Sequence, residues 1–503
     1  MVLIIGRMLS SFISAAGTIL VARILGSQNF GVMNIALIPI NLIVLLVSNG
    51  TSTAIIRHIA EYRSRGEEIK INEIIVCSFV LNLSISIIVT IIMFLLSGYF
   101  ANQIFSLPEI APVIRILSFS LLSQALVNTS SAIIVGFEKM NQSTMVQILN
   151  STLKTIIGPT LVFFGFGVAG AAYGYTLPLL FSGIFGLLLV ILNIPNLKLT
   201  LDFLSLDMFK TIIIYVYPLF FANILAGGIH RVLEFLLSVN TTTEIMGNYS
   251  AAISFSIIIQ FFTSPISTAT FPLLSKIKPE DSIFKTVYQN IIKYESMIVF
   301  PVTFAIIGLS NQSIDILYGP TYHQASLYLQ IYMLSSFLVG IGGSVNNNLL
   351  NSQKHTKVTF QSTVITLILS IILGFPLIPR YGVIGRLVVF LVAPTAGLLY
   401  TTIWLRRNYE LNPDYWNVME LFTSAGIGFL VCRAFVTYVN MNTWLEFFFG
   451  GSLLVLTYLI LILLTGALKK ENLRDIQNIA KTYTFLNFIL DPLFRVLTIL
   501  ARK

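Results

Sequence analysis

Apolar runs of about twenty residues follow one another along this chain, and the polar stretches between them are short. A run of that length spans the hydrocarbon core of a bilayer as an α-helix, where the helix bonds its own backbone groups. We place the runs at residues 3–25, 31–56, 73–97, 111–136, 145–165, 168–192, 211–238, 245–274, 290–309, 323–350, 357–377, 382–405, 416–437 and 445–468. The chain is therefore read as an all-α polytopic membrane protein with about 14 transmembrane helices. Composition agrees along its whole length. Of 503 residues 10% are charged, against roughly 25% in soluble proteins. The first run is flanked by Arg23 and followed at once by a second, unlike a cleaved signal peptide. Cys77 and Cys432 lie inside apolar runs, so neither a disulfide framework nor a metal site is indicated.

The formal charge of +9 is explained by where the basic residues fall. Numbering the loops in order, the even ones carry Arg57, Arg63, Arg65 and Lys70, then Lys139, Lys198 and Lys210, Lys276, Lys278 and Lys285, Lys354 and Lys357, and Arg406 and Arg407. The odd loops carry almost none, with Arg380 the clear exception. Basic residues mark the cytoplasmic side, so both termini are expected in the cytoplasm of a cell-membrane protein, and nucleic acid is not an expected partner. Trp404, Trp416 and Trp444 fall at run ends, where an aromatic belt places them. Residues 469–503 begin charged and are then too interrupted to span; an interfacial helix is expected there.

The chain repeats itself at a shift of 215. Ser52-Thr53-Ala54 falls on Ser267-Thr268-Ala269, Lys139 on Lys354, and Gly167-Val168-Ala169-Gly170 on Gly382-Val383-Ile384-Gly385. At a shift of 216, Gly31 falls on Gly247 and Ala36 on Ala252, so Gly31 is expected to open a helix that is used twice. Six helices is an even number, so the two copies run the same way through the membrane, with the binding site between them near the midplane. The expected divisions are a first lobe at 1–196, a second at 205–408, two further helices at 412–468, and the tail.

Polar residues inside apolar helices are the candidates for function. Asn34, Asn41 and Ser48 recur at seven-residue spacing on one helix face. Gly340, Gly342, Gly343, Ser344 and three asparagines crowd the tenth run. Small and hydroxylated residues also serve plain helix packing, but the joint pattern suits a hydrated cavity. Charges there are rarer and more telling, since one at the bilayer centre costs about 3 kcal/mol on insertion scales. Arg231 and Glu234 are three apart on one face, with a mutual ion pair as the bland alternative. Lys154 lies well inside its run and Arg23 near a run end, with snorkelling as the alternative for each. Arg386 opens the twelfth run and reads equally as interfacial. The excess is cationic, which suits an anionic ligand, and arginine binds phosphate bidentately. There is no Gly-Lys pair, so no Walker A loop. The four histidines are scattered, and no nucleophile-and-base set is apparent.

Ala22-Arg23-Ile24-Leu25-Gly26 before Phe30-Gly31, followed by Ile59-Ala60-Glu61-Tyr62 among basic residues, resembles the opening of the polysaccharide transporter family. These are the Wzx-type O-antigen and lipid-linked oligosaccharide flippases of the multidrug/oligosaccharidyl-lipid/polysaccharide exporter superfamily. The resemblance implies two six-helix lobes and translocation of an isoprenoid-(pyro)phosphate-linked glycan by alternating access through a cationic cavity. Membrane lipids are the expected neighbours, glycan-assembly enzymes the expected further partners of a monomer, and no cofactor is expected beyond a coupling ion, H+ or Na+, for which the residues alone offer Glu234 or His230. Arg23 matches the arginine of the family's opening motif; Lys154, Arg231, Glu234, Asn34 and Asn41 rest on the residues alone. A small-molecule exporter of the same superfamily is the first alternative. A membrane glycan polymerase or ligase is the second, though it would need a catalytic constellation and a sizeable loop.

Overall fold

The computed structural model describes residues 2–47, 50–194, 200–439 and 441–466. Ser48, Lys198 and the expected interfacial tail fall outside them. Among the described residues every regular element is helical. In order these are α1 (Val2–Val47), α2 (Thr51–Arg65), α3 (Glu68–Tyr99), α4 (Ala111–Gly136), α5 (Met140–Leu161), α6 (Gly167–Asn193), α7 (Leu206–Val239), α8 (Thr243–Ser254), α9 (Ser256–Lys276), α10 (Ser282–Gly308), α11 (Ser310–Leu317), α12 (Ala325–Met333), α13 (Val345–Ser352), α14 (Thr356–Tyr409), α15 (Tyr415–Tyr438) and α16 (Thr443–Thr465). Nine helices among the described residues are long and apolar enough to cross a membrane, or ten if the bent pair Ala325–Ile341 and Val345–Ser352 forms one span. Three of the nine, Met8–Val44, Met140–Leu192 and Thr356–Tyr409, each hold two of the apolar runs read from the sequence.

Those runs are joined by local breaks at glycine. In α1 the break is confined to Gly26 (φ 74°, ψ 170°). Gly167 (φ 54°, ψ −136°) and Gly382 (φ 56°, ψ −128°) take nearly the same torsions, which glycine alone adopts without strain. They are the pair matched by the sequence repeat. Glu138 (φ 62°) and Lys354 (φ 64°) are left-handed at matching turns. Proline-led 3-10 turns at Pro108–Ile110 and Pro320–Tyr322 likewise precede α4 and α12. The repeated sequence thus carries a repeated backbone.

Several runs are divided where hydropathy shows nothing. The run at 31–56 stops at Val47 and resumes at Thr51 after left-handed Gly50, and that at 245–274 is split between α8 and α9. Gly31 does not open a helix, as the sequence suggested; the helix is already running at Ser27, and α8 starts at Thr243. Gly31 and Gly247 instead mark a helix crossing. A Cβ on Gly31 would lie 1.7 Å from the Thr243 carbonyl oxygen, and one on Gly247 would lie 1.9 Å from that of Ser27. Both contacts join residues matched by the repeat, so the two helices cross about a local two-fold axis. Small residues permit this close approach in membranes.

By packing, the chain forms two compact units whose bounds differ from those of the repeat. One holds the chain up to Ile257, with Leu317–Tyr328 and Leu367–Phe390. Its buried core includes Ile55, Ile59, Ile74, Ile75, Ile133 and Ile212. The other holds Ile258–Ile316, Leu329–Thr366 and the described residues from Leu391 onward. Its core includes Leu274, Tyr288, Leu349, Leu405 and Leu421. Beside that core Phe300, Phe304, Phe337 and Phe422 meet edge-on or tilted, as aromatic quadrupoles favour.

The α1–α8 crossing yields a stability test. Gly31→Leu and Gly247→Leu each force the backbones apart and are expected to destabilise by at least the ~1–3 kcal/mol of overpacking. Gly98→Ala meets open space in α3 and is expected to be neutral or slightly stabilising. Melting temperatures of the purified protein in detergent measure both. Equal melting for Gly31→Leu and wild type would contradict the crossing.

Candidate functional site

Lys154, Arg231 and Arg386 all belong to the first unit. A Cβ on Gly174 would lie 2.2 Å from the Gly158 Cα, so α5 and α6 pack backbone to backbone. One turn before Gly158, Lys154 is held half-buried with its Nζ 5.5 Å from the centroid of the Tyr175 ring, a cation–π distance. Tyr175 is within electrostatic reach of Arg231 on α7. A Cβ on Gly374 would lie 2.4 Å from Leu233 Cδ2, so the middle of α14 packs closely on α7. His230 is within electrostatic reach of both Arg231 and Arg386. Lys154, Arg231 and Arg386 come from three separate helices and are linked pairwise, Lys154 through Tyr175 to Arg231, and Arg386 through His230 to the same arginine.

One acid opposes them. Arg231 Nη1 donates to Glu234 Oε2 at 3.1 Å. The side chains are 41% and 29% exposed, so this is an accessible pair. It engages one of the five N–H donors of the guanidinium. Arg386, which the sequence left open as an interfacial residue, is buried at 6% exposure. Its guanidinium carbon lies 5.9 Å from the Phe390 ring centroid, and its Nε has no hydrogen-bond partner among the described residues. A buried cation with an unused donor calls for an acceptor. In this group three cations stand against one carboxylate.

The other sequence candidates lie apart from this group. Arg23 stands exposed on α1, three residues before the Gly26 break. Asn34 and Asn41 are half-buried on the same helix, and the Asn34 amide donates to Phe30 O at 2.8 Å, one turn back. The contacts that join Lys154, Tyr175, Arg231, Glu234, His230 and Arg386 do not extend to the two asparagines. Ser267 serves packing, since it receives the Asn348 amide at 2.7 Å. Tyr175 was missed in the sequence because an aromatic inside an apolar run carries no signal.

Residues 20–327 match the family described as polysaccharide biosynthesis protein. The chain belongs to that family. A second match, to lipid II flippase MurJ, covers residues 232–463. Among curated relatives, the probable flippase AglR of Haloferax volcanii is 24% identical over 60% of this chain and 63% of its own length. The probable low-salt glycan biosynthesis flippase Agl15 of the same organism is also 24% identical, over 48% of this chain and 51% of its own length. The chain therefore spans less than two thirds of either relative. The lipopolysaccharide biosynthesis protein WzxC of Escherichia coli is 22% identical over 82% of this chain and 83% of its own length. The fold is similar to lipid II flippase MurJ in an inward closed conformation, with TM-score 0.73 at 18% identity over 91% of this chain and 97% of that one. It is also similar to an inward-facing MATE family multidrug transporter, with TM-score 0.67 at 16% identity over 80% and 94% of the two chains. Members of this polysaccharide biosynthesis family and the all-helical transporter fold thus meet in one chain.

The charge balance of the cluster is testable with inorganic pyrophosphate as the probe. Glu234→Gln removes the acid and is expected to tighten binding several-fold. Arg386→Gln is expected to weaken it about tenfold, the effect of losing roughly 1.4 kcal/mol of charge-assisted hydrogen bonding. Calorimetric titration reads both, and identical affinities in all three proteins would remove the cluster from consideration.

Proposed function

We propose that this protein is a flippase that carries a lipid-(pyro)phosphate-linked oligosaccharide from the cytoplasmic to the outer leaflet for surface polysaccharide or glycoprotein glycan assembly. The observation that carries the reading is the group of Lys154, Arg231 and Arg386 with Glu234 alone opposed. A substrate of this class joins an apolar chain to a sugar through one or two phosphates, and the phosphate is the part a guanidinium cluster holds best. The names of AglR, Agl15 and WzxC, and membership of the polysaccharide biosynthesis family, support the same class.

In this reading the lobes at 1–196 and 205–408 exchange an inward-open for an outward-open arrangement, with the helices of 412–468 as an addition. The arginines and lysine hold phosphate, Glu234 keeps Arg231 from binding too tightly, and Asn34 and Asn41 face the sugar. Arg23 lies near the exit of the first span. The basic loops lie on the cytoplasmic side of the cell membrane, together with both termini. An inside-negative potential favours outward movement of phosphate by about 2.3 kcal/mol per charge per 100 mV. No covalent bond of the substrate changes. The protein works as a monomer and receives its cargo from glycan-assembly enzymes.

Reconstituted vesicles test this. A labelled lipid-linked oligosaccharide is expected to move across the bilayer with its mass unchanged, and Arg231→Ala or Arg386→Ala is expected to slow transfer by tenfold or more. New glycosidic bonds in the product would make the protein an enzyme instead. Undiminished transfer in Arg231→Ala, Arg386→Ala and Lys154→Ala would leave the flippase standing without this phosphate site.

A further inference from the structure

The second unit hides a carboxyl group that the phosphate cluster does not involve. Glu295, on α10, has no exposed surface. Ser344 donates its hydroxyl to Glu295 Oε2, while Oε1 is sealed with no hydrogen-bond partner among the described residues. No described ion pair reaches this side chain. Lys293, two positions away, projects from another side of the helix. The 334–341 segment and α13 carry no charged residue. On α15, Glu420 and Asp414 at its cap are acids, and Arg433 follows Cys432, which meets Gly308 about 20 Å along α10 from Glu295. On α16, Glu446 is bonded to Gln312. Arg406 and Arg407 of α14 are exposed.

Lys293 is itself buried, yet no described ion pair reaches Glu295, and a carboxylate so enclosed is expensive enough that the group takes up a neutralising ligand. A hard cation needs several oxygen ligands, whereas among the described residues the hydrogen bond to the Glu295 carboxyl comes from Ser344. A proton needs one oxygen.

Ser344 also occupies a telling place. It caps α13, immediately after the break between Ala325–Ile341 and Val345–Ser352, which are bent by 43°. Gly342 in that break is left-handed (φ 90°). A Cβ on Gly340 would lie 2.8 Å from both Phe300 on α10 and Val418 on α15, so the break is pressed onto the helix that carries the acid. Just beyond, Tyr288 of α10 donates to Asn346 Oδ1 at 2.9 Å. The break is therefore tied to α10 on both sides of Glu295's bond, by close packing at Gly340 and by the Tyr288–Asn346 hydrogen bond.

We propose that Glu295 and Ser344 form a proton-binding site at the break between α12 and α13, where loss of the proton from Glu295 and rearrangement of the break are one event. When the proton leaves, the carboxylate needs water or additional donors, and the glycine-rich break is the element able to open towards them. Through this step a proton gradient would drive transport, a consequence that rests on the flippase reading; the proton site itself does not.

Infrared difference spectroscopy of the full-length protein in detergent separates the two. Raising the pH is expected to remove a carbonyl stretch of a protonated carboxylic acid in wild type. That band is expected to be absent from the Glu295→Gln difference spectrum, shifted in Glu295→Asp, and moved to higher frequency in Ser344→Ala. Size-exclusion profiles and melting temperatures show that each variant is folded. A Glu295→Gln spectrum that keeps the wild-type band would overturn the proposal, and so would loss of the band on adding Na+ at constant pH, which would make this a sodium site. In vesicles, Glu295→Gln is expected to lose the acceleration of transfer by a pH gradient while keeping transfer driven by membrane potential. If neither protein moves substrate but the infrared band behaves as stated, the flippase reading fails and the proton site stands.

Discussion

A backbone N–H or C=O in hydrocarbon has no water to bond, so each interruption of a spanning helix must find its partners within the protein. That constraint organises this fold. Near the Gly26 break, the Tyr322 hydroxyl donates to the Ala22 carbonyl at 2.6 Å. At the start of α12, the Asn248 side-chain oxygen accepts the backbone N–H groups of Gln324 and Ala325 at 3.1 and 3.0 Å. At the Gly342 break, Gly342 N–H bonds Val339 O and Gly343 N–H bonds Leu338 O, a Schellman-type ending, and Val345 and Asn346 then bond Gly342 O. These joints have partners for backbone groups that the helix leaves unbonded. A joint whose groups are all satisfied can hold one arrangement firmly and still be the place where the helix bends.

The same constraint acts on side chains, and the two units meet it differently. In the first, Arg231 keeps Glu234 beside it and both stay accessible, so the charges persist and remain open to a ligand. In the second, Glu295 is enclosed by apolar helices with one hydroxyl for company. An exposed pair of the first kind contributes little to stability. A sealed carboxyl of the second kind can be strongly destabilising unless it is neutralised. The two acids thus differ in kind: Glu234, which the sequence made most conspicuous, is paired and accessible, and Glu295 is sealed without a described ion pair.

Hydropathy made the helices legible, because insertion depends on summed side-chain polarity over about twenty residues. The run at 111–136 coincides with α4, and that at 416–437 lies within α15. The breaks inside runs were not legible, since a torsion of +74° at Gly26 or +90° at Gly342 leaves hydropathy unchanged. The Gly31–Gly247 match was visible as a repeat, but its meaning was not: a match along the chain does not say that the two glycines touch. Burial of charge was partly legible. Arg231 and Glu234 were seen to be near each other because three residues make one helical turn. Arg386 was left open as interfacial and Glu295 was not singled out, because both lie near the start of a run, and only packing decides whether such a residue reaches water.

The repeat also sharpens what Glu295 can do. Gly167 and Gly382 show that the duplicated segments keep equivalent torsions where a turn depends on them. The α12–α13 segment breaks that equivalence. Its counterpart by topology, α4, follows the same kind of proline-led turn and runs unbroken from Ala111 to Gly136, whereas the later copy is interrupted from Leu334 to Ser344. The departure occurs where Ser344 meets a sealed carboxyl, so the proposed proton site sits at the point where the second copy differs in backbone from the first.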